Sequence, residues 1–121
     1  MKKLVLFGAG KIGRSFVGQL FSRSGYEVVF VDILEPVIEA LNRRGFYNVI
    51  IKGDREETIN VTNVRGVLAS DKEKVAEEVS TADVVATSVL EEQSIFTFFL
   101  FILSLRVSMF FTTLKLISKV I

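Results

Sequence analysis

Residues 8–13 read Gly-Ala-Gly-Lys-Ile-Gly, a full G-x-G-x-x-G, and Asp32 follows nineteen positions after its last glycine. Glycines at this spacing can close a backbone loop around phosphates. Gly8 permits a tight turn, Gly10 lets the chain approach a pyrophosphate, and Gly13 lets a following helix lie against the strand before it. With Ala9, Lys11 and Ile12, they offer free N–H groups at the positive end of a helix dipole. An acid about twenty residues further on, at the end of the next strand, accepts hydrogen bonds from ribose hydroxyls. A carboxylate there repels a 2′-phosphate, and no Lys or Arg follows it directly, so these residues imply NAD rather than NADP. The alternative is an ordinary tight turn followed by a strand-ending, helix-capping Asp. Glycines cluster in many turns, and the motif means little without a strand before it and a helix after it.

The surrounding pattern supplies that context. Leu4 to Phe7 is a short apolar run of the kind expected for a strand buried on both faces. After the glycines, Ile12, Phe16, Val17, Leu20 and Phe21 recur at helical spacing, and Ser24-Gly25 closes the helix. Glu27 to Val31 is a second apolar strand, ended by Asp32. Pro36 fits the first turn of a second helix, which carries Val37, Ile38 and Leu41 and stops at Gly45. Strand–helix–strand–helix within fifty residues predicts a parallel βαβ unit. The expected fold class is therefore α/β, a Rossmann-type doubly wound parallel sheet, and an incomplete one at this length. Next come three strand-like segments, 47–52, 57–61 and 64–69, expected as a small antiparallel excursion or an outer strand pair. A helix over 71–79 and a buried strand over 82–89 complete the pattern.

Other polar residues leave their readings open. Lys11 and Arg14 could bring positive charge near phosphates, although a solvated side chain on the first helical turn is the simpler account of Lys11. Thr87 and Ser88 end the strand after Asp83, on the edge where doubly wound sheets bind ligands, or are ordinary loop polarity. Asp54, Arg55, Glu56 and Glu57 read as a solvated face. The chain has no Cys and no His, which removes disulfides, thiolate chemistry and the commonest general base. No metal-ligand spacing is present. The net charge of +1 gives no reason to expect nucleic acid. The N-terminal apolar run breaks into glycines too soon for a signal peptide, so this end reads as the first strand of a cytoplasmic protein.

The stretches FGAGKIGRSFVG, FVDILEPVIEALNRRGFYNVIIKG and ADVVATSV occur in the order found in the mannitol-1-phosphate 5-dehydrogenases. Over about residues 1–89 the chain resembles that group of the polyol-specific long-chain dehydrogenases, the mannitol dehydrogenase family. Related hexuronate reductases share much of the pattern. The resemblance implies an NAD-dependent oxidoreductase interconverting mannitol 1-phosphate and fructose 6-phosphate. By matching position, Gly8 to Gly13 and Asp32 would hold the dinucleotide. Lys11 stands where many members have Asn, and Ser15 where many have Gly. The family's catalytic Lys, with its Asn and His partners, lies in a later helical domain and finds no counterpart here. No catalytic residue is therefore assigned, and the polyol phosphate is a partner only of a full-length form. A non-catalytic NAD-binding module is the alternative.

Composition changes near residue 90. All eight glycines lie at or before Gly66, whereas six of the eleven phenylalanines fall at or after residue 91. The division expected is an NAD-binding unit over 1–90 and an atypical Phe-rich segment over 91–121. The run from Ile95 to Leu105 is short for a bilayer. Extending it to Leu114 places Arg106 near its centre at a cost of about 3 kcal/mol, which makes insertion marginal. A segment that covers the sheet is a second reading. The favoured expectation is a non-native sequence joined after Val89 or Leu90.

Overall fold

The computed structural model describes residues 1–88. The boundary at residue 90 and all three readings of 91–121 lie outside the described residues.

Strands β1 (Lys3–Phe7) and β2 (Glu27–Asp32) pair in parallel at the centre of a sheet that has four strands among the described residues. Side chains alternate between the two faces of a strand, and here both faces are buried. Leu4, Leu6, Val28 and Phe30 enter one core, while Val5, Val29, Val31 and Val85 enter the other. That double burial is why these strands read as unbroken apolar runs rather than alternating ones.

Between β1 and β2 the chain is helical from residue 11 to 23. Its middle, Gly13–Gly18, is a π-helical turn rather than the plain helix expected, and α1 (Gln19–Arg23) continues it. Helix α2 (Glu35–Arg44) starts with Pro36 in its first turn and ends at Gly45, whose φ of 71° is left-handed. Helix α3 (Lys72–Ser80) is capped by Asp71, whose carboxylate accepts from the Lys74 amide at 3.3 Å. Val17, Ile38 and Leu41 pack on one face of the sheet, and Val75 and Val79 on the other. Helices on both faces make the sheet doubly wound.

The three strand-like segments after α2 divide unequally. β3 (Phe46–Ile51) and β4 (Glu57–Thr62) form a separate antiparallel hairpin, with Phe46 opposite Thr62 and Ile51 opposite Glu57. Its inward residues Tyr47, Val49, Ile59 and Val61 join the core that holds Phe30. β5 (Val64–Leu68), the third of these segments, leaves the hairpin and pairs in parallel with β2, from Val28 beside Val64 to Asp32 beside Leu68. Its apolar run is interrupted by two residues with tertiary tasks. Arg65 leaves the core for ion pairs with Glu27 and Glu78, and Gly66 makes room for Ile38, whose Cδ1 would stand 2.7 Å from an added Cβ. β6 (Val84–Thr87) pairs with β1, giving the all-parallel order β5-β2-β1-β6.

β5 bears a covered edge. The Asn42 side chain on α2 donates to the Gly66 carbonyl at 2.9 Å and accepts from the Gly66 amide at 2.8 Å. One amide group thus meets the strand as a neighbouring strand would, which protects backbone groups that otherwise invite another chain.

Candidate functional site

The glycine loop leaves the C-terminal end of β1, where the strand order reverses: β2 and β5 lie to one side of β1 and β6 to the other. In open α/β sheets, this is where a crevice forms. The Gly8 amide still donates to the Val31 carbonyl at 2.8 Å, so the sheet holds the loop up to its first residue. There the chain turns with a φ of 110°, a region that favours glycine. Gly13 then passes so near β1 that an added Cβ would lie 2.4 Å from the Gly8 carbonyl oxygen and 2.6 Å from Ser88 Oγ. Gly10 differs: among the described residues nothing lies within 4 Å of an added Cβ. The described residues leave that side of the loop open, as an approaching pyrophosphate requires.

The first backbone bond of the helix runs from the Arg14 amide to the Gly10 carbonyl at 3.0 Å. The amides of Gly10, Lys11 and Ile12 precede it and are among the donors a helix start leaves to a cap, water or a ligand. Lys11 is exposed. Arg14 Nε lies 3.4 Å from the Gly10 carbonyl oxygen, which keeps its positive charge over the same turn.

Asp32 comes to this loop across the strand pair. One carboxylate oxygen accepts from the Ala9 amide at 2.7 Å, and the other accepts from the Leu34 amide at 3.0 Å. The carboxylate therefore fixes both the glycine turn and the start of the next loop. Each oxygen has further lone-pair capacity for hydroxyl donors. Ile33 and Leu34 follow it at 81% and 50% exposure, an apolar surface beside a carboxylate. Their signal in the sequence is an apolar pair directly after a strand-ending acid, which a search for polar groups does not detect.

Gly8, Ala9, Gly10, Lys11, Ile12, Gly13 and Asp32 are thus brought together. Thr87 and Ser88 lie deeper. Thr87 is buried at the end of β6, and Ser88 Oγ donates to the Gly8 carbonyl at 3.1 Å, bracing the turn from below. The acidic 54–57 segment lies at the hairpin tip, on the separate two-stranded sheet. A groove of about 620 Å³ opens elsewhere, between α2 and α3 along β5, with Asn42, Arg65, Lys74 and Glu78 in its lining. Among the described residues no cluster of three or more His, Cys, Asp or Glu could hold a metal ion. Among them, too, no helix is long and apolar enough to cross a membrane.

A family model, that of the mannitol dehydrogenase Rossmann domain, matches residues 2–118. The chain belongs to the mannitol dehydrogenase family. The match continues past residue 90 into the segment that composition sets apart. Among relatives in this family, the mannitol-1-phosphate 5-dehydrogenase of Shouchella clausii is 51% identical over 88 residues, which are 72% of this chain and 24% of that protein. The enzyme of the same name from Thermoanaerobacter pseudethanolicus is 44% identical over 89 residues, 74% of this chain and 23% of its own. That from Ajellomyces capsulatus is 47% identical over 90 residues, 73% and 23% respectively. The chain spans about a quarter of the length of these curated relatives. The family's Rossmann domain, the all-parallel sheet order and the helices on both faces agree on one fold.

Proposed function

We propose that this chain supplies the NAD-binding part of an oxidoreductase of the polyol-phosphate type, with mannitol 1-phosphate and fructose 6-phosphate as the substrate pair. The observation that carries the reading is the pairing of an open glycine loop with a carboxylate tied to it. Among the described residues nothing crowds Gly10 at the start of the helix, and Asp32 stands one hydrogen bond from Ala9. In this reading the amides of Gly10 to Ile12 receive the pyrophosphate, assisted by Arg14 and Lys11. Asp32 accepts the adenosine ribose hydroxyls, and Ile33 and Leu34 offer a face to the purine. Gly13 and Ser88 hold the turn against the sheet, and Thr87 supports it from within the strand. When bound, NAD supplies the hydride acceptor. The substrate pair follows from the names of the relatives. Alcohol oxidation also needs a group to take the hydroxyl proton. The chain has no His, the commonest group in that role.

The test is a fluorescence titration of NADH with the full chain, its Asp32→Ala variant and NADPH as the competing ligand. Saturable NADH binding, at least about tenfold weaker in the variant, is expected, because hydrogen bonds to a charged acceptor are lost together with the loop's anchor. NADPH should bind more weakly than NADH to the parent chain, and the variant should narrow that difference. Equal NADH affinity in both proteins overturns the ribose assignment. Absence of binding to the parent overturns the reading as a whole.

A further inference from the structure

The π-helical turn is the least expected feature next to the cradle, and it has a partner. In a π-helix each amide reaches the carbonyl five residues back rather than four. The Arg14 carbonyl, which an α-helix would give to the Gly18 amide, instead accepts a hydrogen bond from the Tyr47 hydroxyl at 2.5 Å. Tyr47 belongs to β3, in the hairpin inserted between α2 and β5. Its ring meets Phe30 of β2 edge-on, with centroids 6.1 Å apart. The space it enters exists because residue 18 is glycine. A Cβ there would stand 2.7 Å from Tyr47 Oη, 2.7 Å from Phe30 Cζ and 2.9 Å from the Gly13 carbonyl. Glycine at both ends of the π turn, a phenol from another element and an aromatic ring of the central sheet thus interlock.

We propose that Tyr47 is a positioning residue for dinucleotide binding, acting through the π turn to set where the Gly10–Ile12 amides stand. The proposal rests on the NAD-binding reading above. Without the hydroxyl, the Arg14 carbonyl loses this donor, and the turn relaxes towards α-helical bonding. Relaxation removes one residue's worth of widening from the helix directly after Gly13, so the amides before it move against β1. Burial pushes the Tyr47 phenol well above its ordinary pKa, with Arg14 opposing more weakly, so it remains a donor throughout the neutral range. Arg14 takes part at both ends, its carbonyl held by Tyr47 and its Nε facing Gly10.

Tyr47→Phe in the full chain, with NADH titrated by fluorescence, is the test. Asn42→Ala serves as the control, because it removes two hydrogen bonds from the same core at β5 and touches no part of the cradle. Tyr47→Phe should weaken NADH binding about fivefold, the equivalent of one hydrogen bond. Asn42→Ala should keep the parent affinity within about twofold despite its own loss of thermal stability. A measurement on the unaltered chain stands beside the variants. With only Tyr26 and Tyr47 present, the tyrosine ring resonances can be followed during the titration, and those of Tyr47 should shift more than those of Tyr26. Parent-like NADH affinity in Tyr47→Phe, an equal loss in Asn42→Ala, or unmoved Tyr47 resonances at saturation would each overturn the proposal. If the parent chain binds no NADH, it is the NAD-binding reading that fails.

Discussion

Neutralising Glu78 should remove an acid-sensitive part of the stability while leaving the cradle untouched. The Glu78 carboxylate accepts from Lys3 Nζ at 2.8 Å and from Arg65 Nη2 at 2.8 Å, and Arg65 Nη1 reaches its other oxygen. Arg65 also pairs with Glu27 at 3.2 Å. The cluster joins the starts of β1, β2 and β5 to the last turns of α3, at the opposite end of the strands from the glycines. The hydrogen bonds from Arg65 chiefly hold the Glu78 carboxyl down to about 2, from an ordinary 4.5; burial opposes them and Lys3 adds to them. The folded carboxyl therefore titrates below the unfolded one. Its contribution is complete above about pH 4.5 and disappears as the pH falls towards 2. Taken whole, the shift corresponds to about 3 kcal/mol. Arg65 is 38% exposed, so solvent screening reduces the expectation to about 1–2 kcal/mol. Urea unfolding of the parent and Glu78→Gln chains at pH 7, 5, 4 and 2.5 measures it. The variant should be less stable by that amount at pH 7, and the gap should shrink steadily below about pH 4.5 to a small fraction at the lowest pH. NADH affinity at pH 7 should be the same in both. A gap that stays constant across the series, or no gap at neutral pH, refutes the reasoning.

Gly13→Ala places a methyl group 2.4 Å from a backbone carbonyl that cannot rotate away, so the loop must lift from β1. A loss of about 1–3 kcal/mol in thermal unfolding is expected, with NADH binding reduced more than the stability alone accounts for. Asn42→Ala leaves the Gly66 amide and carbonyl without their partner, and should cost about 1–3 kcal/mol in the same measurement. Phe30→Ala empties the fully buried site on which Tyr47 and Gly18 converge, and should cost about 3–5 kcal/mol in urea unfolding. Asp71→Ala removes the cap of α3 and should cost about 1 kcal/mol, read from far-ultraviolet circular dichroism melts.

What could be read from residue types alone was whatever short-range patterning controls. The apolar runs of β1 and β2 announce strands buried on both faces, Pro36 and Gly45 bracket α2, and the glycine spacing with Asp32 marks the cradle. The neighbours of β5 are not legible in its own residues, because Arg65 and Gly66 answer to residues far away, Glu78 on α3 and Ile38 on α2. A window of five residues contains neither. The π turn has the same origin. Nothing between Gly13 and Gly18 favours wider winding, and the donor that takes the Arg14 carbonyl comes from a hairpin some thirty residues on. Asp32 shows the boundary within a single residue. Its place at the strand end follows from the pattern, while its bond to the Ala9 amide depends on how the glycine turn packs. Thr87 and Ser88 were legible as polar residues at the right edge. That Thr87 is buried and that Ser88 faces Gly8 depends on pleat and loop path, which polarity does not encode.

The Asn42–Gly66 pairing also has a topological meaning. It joins two points 24 residues apart, so the intervening chain becomes a ring closed by one side chain, with the β3–β4 ladder zipped inside it. Such a ring can be cut without coming apart. Trypsin acting after Lys52 or Arg55, at the hairpin tip, would sever the backbone between strands that remain paired from Phe46–Thr62 to Ile51–Glu57. Tyr47 would stay on one piece and Val61 on the other, both still seated in the core.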